Sequence, residues 1–421
     1  MSHGVLLAAL TATLVGASIT HGETFLERRD PSDVRIATWN IYFSSIFPTE
    51  PSNRAAGFAR AFNAIDADVW ALQEVYSYST TSVRNLLNGI QPLSTPQGWQ
   101  VYKVGEHVIA SKYPLSMTSG NTSPAGYREV AMAMVDLPDE LFGSDLYLMN
   151  AHYRCCGGAD ADRQKQSDAF VNWMRDAKTP GGAITLPADT PMVLLGDFNI
   201  VEGPQPLETL LTGDIANQVV YGADAAPDWD GSTNSMVDAR HDATGPDQYT
   251  WRDDTSIFDP GRLDYITYTD SVMTPRHSFV LNTTTMSLDE LLATGLQAND
   301  SIYSAASWDH LPVVADFAVW GSSLAADFDG DRDVDDGDLE RWKTGFGSAG
   351  GAMRDQGDAN GDGVVDGSDF LIWQRSLTGA AGADVVPEPG GLALALGALA
   401  TVMFRAPSTQ RGGTGWIYRI A

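Results

Sequence analysis

The chain has few basic residues for its length. Its 421 residues contain 26 Lys and Arg against 54 Asp and Glu, which gives a formal net charge of −28. Such a surface repels phosphate backbones at long range, so non-specific nucleic-acid binding through a basic face is not expected. An enzyme that holds a phosphate through a divalent cation is not excluded, because the cation supplies positive charge locally.

Cysteine is almost absent. The two cysteines, Cys155 and Cys156, are adjacent and follow His152 by three residues. An intramolecular disulfide would join Cα atoms about 3.8 Å apart, below the usual span of about 4.4–6.8 Å. Two interpretations stay open: a strained, reducible disulfide at a site rim, or two thiols that pack locally. A soft-metal site is less favoured, because there is no second cysteine pair to complete one.

Apolar runs lie at both chain ends, and both fall short of the roughly 20 residues that span a bilayer comfortably. Residues 5–19 are followed by small residues and predict a secretory signal peptide over 1–22, although no Lys or Arg precedes them. The alternative is a buried helix. We therefore expect an exported protein.

The C-terminal run, residues 391–404, follows Val386-Pro387-Glu388-Pro389 and precedes Arg405. This pattern resembles the bacterial sorting signal named for its Pro-Glu-Pro motif, over residues 386–405, with a further tail at 406–421. The resemblance implies contact with sorting machinery and an extracellular or cell-surface location in a bacterium. An unstructured tail is the alternative.

Six short polar motifs are the most informative feature, and each is predicted to end a strand-like apolar run. In order they are Thr38-Trp39-Asn40, Leu72-Gln73-Glu74, Asn150-Ala151-His152, Gly196-Asp197-Phe198-Asn199, Arg262-Leu263-Asp264-Tyr265 and Trp308-Asp309-His310-Leu311-Pro312. Acid, amide and imidazole groups at strand ends are a means of gathering a metal and its catalytic partners on a rigid scaffold.

This order of motifs resembles the endonuclease/exonuclease/phosphatase superfamily over roughly residues 33–320. That superfamily includes pancreatic-type deoxyribonucleases, apurinic endonucleases, bacterial neutral sphingomyelinases and inositol polyphosphate 5-phosphatases. The resemblance implies an α+β fold, a four-layer α/β/β/α sandwich in which helices flank two packed mixed β-sheets. It also implies metal-dependent cleavage of phosphate esters, without naming the substrate.

Cleavage of a phosphodiester needs a cation on the non-bridging oxygens. The resemblance implies Glu74 as the principal metal ligand, Asn40 beside it, and Asp309 completing the shell directly or through water. Hard oxygen ligands suit Mg²⁺ or Mn²⁺. An unpaired carboxylate at the end of a buried strand is costly, which also favours a functional role for Glu74. Arg128 is a further candidate contact to the phosphate.

The same resemblance assigns the proton chemistry. His310 is the candidate general base, or the group that orients the in-line phosphate, and Asp264 would fix its tautomer. Asp197 and Asn199 would align the attacking water and hold phosphoryl oxygens. His152 matches the second histidine of the deoxyribonuclease-like and sphingomyelinase-like branches, where it protonates the leaving group. Apurinic endonucleases lack this histidine.

Two acidic segments within residues 325–380 repeat at a spacing of 31 residues. Their members are Asp327, Asp329, Asp331, Asp335 and Asp338, then Asp358, Asn360, Asp362, Asp366 and Asp369. Loop positions 1, 3, 5, 9 and 12 match an EF-hand-type calcium loop. Because position 12 is Asp, the segments resemble dockerin type I repeats, which implies a small all-α module that binds Ca²⁺ and a cohesin-like or cell-surface partner. A solvated acidic linker is the alternative.

We therefore expect a secreted, metal-dependent phosphoesterase that cleaves phosphodiesters, with an extracellular nuclease acting on DNA or RNA favoured. A sphingomyelinase-like enzyme acting on phospholipid is the first alternative, and it should carry an exposed apolar hairpin. Residues 41–47 are the only such patch that the sequence suggests. The second alternative is a non-catalytic surface protein in which the calcium repeats dock to a partner.

Overall fold

The computed structural model describes residues 24–30, 33–51, 53–121, 129–138, 142, 144–241, 245–302, 308–319, 326–329, 334–350, 352, 354–359 and 363–377. The chain divides into two compact units, Met1–Ala325 and Ala326–Ala421. The predicted signal peptide, sorting signal and tail lie outside the described residues, as do Arg128, Asp331, Asn360 and Asp362. No described helix is long and apolar enough to cross a membrane.

Two six-stranded sheets are described in the first unit. The strands are β1 (Val34–Asn40), β2 (Val69–Gln73), β3 (Gln100–Val104), β4 (His107–Ser111), β5 (Leu115–Asn121), β6 (Val130–Val135), β7 (Leu146–His152), β8 (Met192–Asp197), β9 (Ser235–Met236), β10 (Asp264–Tyr268), β11 (Met273–Val280) and β12 (Val313–Val319). One sheet has the order β11-β12-β1-β2-β4-β3, and the other has the order β5-β6-β7-β8-β10-β9.

Alternating side chains build the layers. In β2, Val69 and Ala71 join the core between the sheets, whereas Trp70 and Leu72 face outward. Strand side chains alternate with a period of two, so a continuous apolar run buries both faces of a strand. The helices that accompany the sheets are α1 (Ala55–Ile65), α2 (Thr80–Ile90), α3 (Asp160–Ala177), α4 (Gln205–Thr212), α5 (Gln218–Tyr221) and α6 (Leu288–Thr294).

Helices cover the outer faces of both sheets. Phe58 and Phe62 of α1 pack on the outward residues of the first sheet. Phe170 and Met174 of α3 pack on those of the second. The order helix, sheet, sheet, helix confirms the predicted four-layer sandwich.

Strand direction brings the six motifs to one edge. The pairs β1–β2 and β7–β8 are parallel, so their carboxyl ends meet there. Strands β10 and β12 run antiparallel to β8 and β1, so they begin where the others end. The prediction that every motif ends a strand is therefore wrong for two of them. Those containing Asp264 and His310 lie at the start of a strand, because an antiparallel strand reaches that edge with its amino end.

The described part of the second unit includes two α-helices with the same local design. Helices α7 (Asp336–Gly345) and α8 (Gly367–Ser376) each begin with a capping box, made by Asp335 with Asp338 and by Asp366 with Asp369. The tryptophan of each helix donates a hydrogen bond to the residue that caps the other helix. The Trp342 indole N–H donates to the Asp366 carbonyl at 3.0 Å, and that of Trp373 donates to the Asp335 carbonyl at 2.9 Å.

Candidate active site

Left-handed backbone conformations hold the loops at the motif edge. Glu74, directly after β2, has φ of 64°, and Tyr42, Phe43 and Ser44 have φ values between 44° and 63°. Each non-glycine residue in this region costs roughly 1–3 kcal/mol and persists only where its surroundings hold it. Here the N–H of Ser44 donates to the Glu74 carbonyl at 2.8 Å, and that of Phe43 donates to Glu74 Oε2 at 3.0 Å. The Glu74 carboxylate is thereby fixed at the edge, half-buried.

Asn40 links the two sheets. Its Nδ2 donates to Glu74 Oε1 and to Asp197 Oδ2, both at 3.1 Å. Its Oδ1 accepts from the N–H of Tyr42 at 3.1 Å. Asn40 and Glu74, the predicted metal ligands, therefore lie together at the end of the first sheet. Asn40 also contacts Asp197 of the second sheet.

A second polar bridge lies deeper between the sheets. Gln73 Nε2 donates to Asn150 Oδ1 at 2.7 Å, and Asn150 Nδ2 donates to the carbonyls of Leu72 and Val108 at 3.0 and 2.8 Å. All of these groups are buried, where an unmatched polar atom would be costly. The bridge therefore sets the ends of β2 and β7 opposite each other, which places Glu74 and His152 on the same edge.

Asp197 is the centre of the arrangement. Its Oδ2 lies 3.3 Å from His152 Nε2 and 3.7 Å from His310 Nε2. Its other oxygen accepts from the Asn199 N–H at 3.0 Å. The preceding Gly196 has φ of 134°, and a Cβ there would overlap a backbone carbonyl of β7. Only glycine allows the end of β8 to pass this close to β7, and that approach brings Asp197 to the imidazoles.

His310 is paired with a buried carboxylate, as predicted. Its Nδ1 lies 2.8 Å from Asp264 Oδ2, and both side chains are buried. Burial alone would lower the pKa of His310, but the carboxylates of Asp264, Asp197 and Asp309 outweigh it and raise that pKa to about 10. Burial raises the pKa of Asp264 as well, so the His310–Asp264 pair retains a proton strongly when no metal offsets these carboxylates.

His152 has a carboxylate partner that the sequence analysis missed. Glu106 Oε1 lies 3.3 Å from His152 Nδ1, and both residues are buried. Glu106 lies in the turn between β3 and β4 and belongs to none of the six motifs. Only its neighbour Gly105, a turn residue with φ of 53°, hints at a tight hairpin there. Each imidazole of the site thus has its own carboxylate on Nδ1 and turns Nε2 toward Asp197.

Asp309 is held by the segment before β10. The indole N–H of Trp251 donates to Asp309 Oδ2 at 2.8 Å, and the N–H of Arg252 donates to its carbonyl at 2.8 Å. Burial raises the pKa of Asp309, which His310 and Trp251 partly offset. Trp251 had no role in the sequence analysis.

The donor set fits a hard divalent cation. Five carboxylates, from Glu74, Glu106, Asp197, Asp264 and Asp309, converge on an edge where two imidazoles supply at most two positive charges. Like charges this close favour a bound cation. Ligand atoms of Asp197, Asp264 and His310 lie within 4.8 Å of one another, a spacing that allows a metal. Within this group, His310 Nδ1 is already hydrogen-bonded to Asp264. The roles of Asn40, Glu74 and Asp309 as metal ligands stay a prediction.

The apolar patch predicted at residues 41–47 is largely wrong. Ile41, Ile46 and Phe47 are buried, because the left-handed turn folds them inward, and Phe43 alone is strongly exposed. Two further exposed apolar residues of the described structure lie on the loop after Trp251, where Ile257 is 95% exposed and Phe258 is 72% exposed.

The sequence profile of the Endonuclease/Exonuclease/phosphatase family matches residues 37–298. No curated protein matches the sequence.

Three solved structures illustrate the similarity. The human Nocturnin catalytic domain with bound sulfate anion has 16% identity and a TM-score of 0.43, covering 68% of this chain and 95% of that one. D. rerio TDP2 complexed with single strand DNA product has 18% identity and a TM-score of 0.44, covering 68% and 99%. An endonuclease/exonuclease/phosphatase from Bacteroides vulgatus has 18% identity and a TM-score of 0.43, also covering 68% and 99%.

The family profile ends before Asp309 and His310, yet the fold returns both residues to the edge that carries the earlier motifs. The paired sheets, the histidines with their carboxylates and the acidic cluster are the features of a hydrolase that uses a metal on phosphate esters. The chain belongs to the endonuclease/exonuclease/phosphatase family.

Proposed function

We propose that the chain is a metal-dependent phosphodiesterase and that it acts as a nuclease on DNA or RNA. One observation carries the proposal: Asp197 Oδ2 faces two imidazole Nε2 atoms, and each imidazole has its own buried carboxylate. Attack and departure at phosphorus lie roughly in line on opposite sides. Two separately oriented imidazoles suit that demand, because one can serve each side.

His152 is suited to protonate the leaving oxygen. Glu106 lies at its Nδ1, so Nε2, which lies 3.3 Å from Asp197 Oδ2, is the nitrogen directed toward the centre of the site. A departing alkoxide needs a proton, and a positioned donor typically contributes roughly 10²–10⁴-fold to rate.

His310 can act as a hydrogen-bond donor or as a base, and its protonation state determines which. With the pKa raised to about 10, the metal-free imidazolium donates a hydrogen bond to a phosphoryl oxygen. It becomes a base only where bound positive charge offsets the carboxylates around it. A bound divalent cation supplies Lewis-acid polarisation of the phosphate. We assign alignment of the attacking water to Asp197, which is held by Asn40 and by the Asn199 N–H.

A second substrate class is supported by the loop after Trp251. Ile257 and Phe258 are exposed there, and the same loop begins at the Asp309 contact. An apolar tip beside a phosphodiesterase site is suited to a lipid surface. The net charge of −28 is also less unfavourable for a zwitterionic lipid than for a polyanion. A sphingomyelinase-like activity is therefore the second candidate.

The test uses the full chain with Mg²⁺ or Mn²⁺. Release of product is compared on plasmid DNA and on sphingomyelin vesicles, with His310→Ala as the inactive control. The double variant Ile257→Ser/Phe258→Ser is the matched surface control, because neither residue contacts the catalytic side chains in the described structure.

DNA cleavage that is lost in His310→Ala and kept in the loop variant supports the nuclease. If the wild-type chain cleaves sphingomyelin vesicles but not DNA, and both variants lose that activity, the sphingomyelinase-like function is supported in place of the nuclease. No turnover of either substrate contradicts both.

The second unit is proposed to bind Ca²⁺. Ligand atoms of Asp327, Asp329 and Asp338 lie within 4.8 Å of one another. Asp338 is buried and accepts from three backbone N–H groups, those of Phe328, Asp329 and Asp335, at 2.6–3.2 Å. Three carboxylates this close favour a cation. Docking to a cohesin-like or cell-surface partner, and export to the cell surface, are proposals that rest on the sequence patterns and are tested by calcium-dependent pull-down and by cell fractionation.

A further inference from the structure

The two cysteines lie on the loop that leaves the catalytic strand β7 and enters α3. Both side chains are exposed, and both are present as thiols. Their Sγ atoms lie 2.6 Å apart, against roughly 2.05 Å for a disulfide bond. Neither residue has a role in the hydrolysis derived above.

A buried arginine holds the loop around the pair. Nη1 of Arg163 donates to the carbonyls of Arg154 and Cys156, which flank Cys155, at 3.1 and 3.0 Å. Nη2 of Arg163 donates to Glu202 at 2.5 Å, and Glu202 also accepts from the N–H of Gly158 at 2.6 Å. The backbone on both sides of Cys155 is therefore held in the conformation of the open, dithiol form. The two Sγ atoms are already neighbours in that form, and this proximity favours an intramolecular reaction over one with an external thiol.

The same loop is joined to the catalytic centre. The N–H of Tyr153 donates to the Asp197 carbonyl at 2.8 Å, and the Tyr153 carbonyl accepts from Asn199 Nδ2 at 3.4 Å. The Tyr153 ring also stacks on Phe198 at 5.0 Å. A displacement of residues 154–156 would therefore be transmitted through Tyr153 to Asp197, whose carboxylate faces both imidazoles.

We propose that Cys155 and Cys156 form a reversible redox site whose closure into a disulfide lowers turnover. A small-molecule disulfide is the oxidant. The two cysteine thiols lose two protons and two electrons and form one S–S bond, and the oxidant is reduced to two thiols. Neighbouring Cα atoms about 3.8 Å apart lie closer than the usual disulfide span. The closed form is therefore strained, and strained, exposed disulfides are the readily reduced ones.

Closure also has to move backbone that Arg163 holds. Because displacement of a positioned group by 1 Å can cost roughly 100-fold in rate, we expect closure to lower kcat by about tenfold. The activity effect depends on the proposed function, whereas the chemistry of the pair does not.

The first test counts thiols on the full chain. Oxidised glutathione is added to native protein, and accessible thiols and the mass of the peptide that contains both cysteines are measured. We expect both thiols to disappear, the peptide to lose two hydrogens, and dithiothreitol to restore the original state. Cys155→Ser and Cys156→Ser are matched controls in which the remaining thiol should keep one glutathione. Persistence of both thiols, or a stable glutathione adduct on the wild-type chain, overturns the proposal.

The second test compares phosphodiester turnover of the oxidised and reduced chain. The double variant Cys155→Ser/Cys156→Ser should match the reduced enzyme and be insensitive to oxidant. A disulfide that forms without changing kcat overturns the link to the active site. Absence of turnover in both forms contradicts the proposed function instead, while the thiol count still decides the redox pair.

Discussion

Glu106→Gln removes the negative charge beside His152 and keeps the size of the side chain. A hydrogen bond to a charged group contributes about 1.5–3 kcal/mol, and each 1.36 kcal/mol corresponds to about tenfold in rate. The 3.3 Å separation from His152 Nδ1 is longer than the roughly 2.7–2.9 Å of the strongest charge-assisted bonds. We therefore expect the lower half of this range, about 1.5–2.3 kcal/mol, which is a fall in kcat of about 13- to 45-fold, with little change in KM.

The assay compares two diester substrates. A p-nitrophenyl ester has a leaving group that departs without a proton, whereas an alkyl ester needs one. If Glu106 acts through leaving-group protonation by His152, the loss is large on the alkyl ester and small on the p-nitrophenyl ester. Glu208→Gln, an exposed glutamate in α4, is the matched control and should retain full activity. Equal losses on both substrates, with an unchanged melting temperature, would refute the assignment.

Three further outcomes are expected. Gly196→Ala should lower the free energy of unfolding by about 3 kcal/mol or more, because φ of 134° and the carbonyl of β7 exclude a Cβ; denaturant melts check this, and unaltered stability contradicts it. The pKa of His310 rises from 6.5 to about 10 on folding, so its stabilising contribution is full below pH 6.5 and is lost as pH rises through about 10. The metal-free protein should therefore lose stability across that interval, by at most about 1.4 kcal/mol per pH unit, and Asp264→Asn should make the free energy of unfolding depend less on pH. If wild type and variant show the same pH dependence after treatment with chelator, Asp264 does not set the charge of His310. Asp338→Asn should weaken Ca²⁺ binding at least about tenfold, or roughly 1.4 kcal/mol, in calorimetric titration, and an unchanged affinity would place the cation elsewhere.

Local patterns predicted the elements well where both faces of a strand are buried. The apolar runs that precede Asn40 and Glu74 are the strands Val34–Asn40 and Val69–Gln73. Residues 162–176 have the apolar stripe of a helix, and the helix itself is Asp160–Ala177. Its amphipathic stripe does not reveal where the terminal turns stop, because those turns carry little of the apolar face.

The exposed apolar surface was misjudged for a different reason. Residues 41–47 are rich in aromatic and aliphatic side chains, which is consistent with a surface patch or with a buried turn. The choice depends on the left-handed conformation of Tyr42, Phe43 and Ser44, which is held by hydrogen bonds to Glu74. The composition of the segment does not predict those hydrogen bonds.

The sequence by itself determined which chemical groups are present, their order, and the strands that deliver them. Each of these depends on residue type and on periodicity along a short segment. Tertiary structure alone decided that Glu106 pairs with His152 and that one oxygen of Asp197 faces both imidazoles. These are contacts between segments far apart in the chain, set by strand direction, by the Gln73–Asn150 bridge and by the close passage of Gly196 against β7.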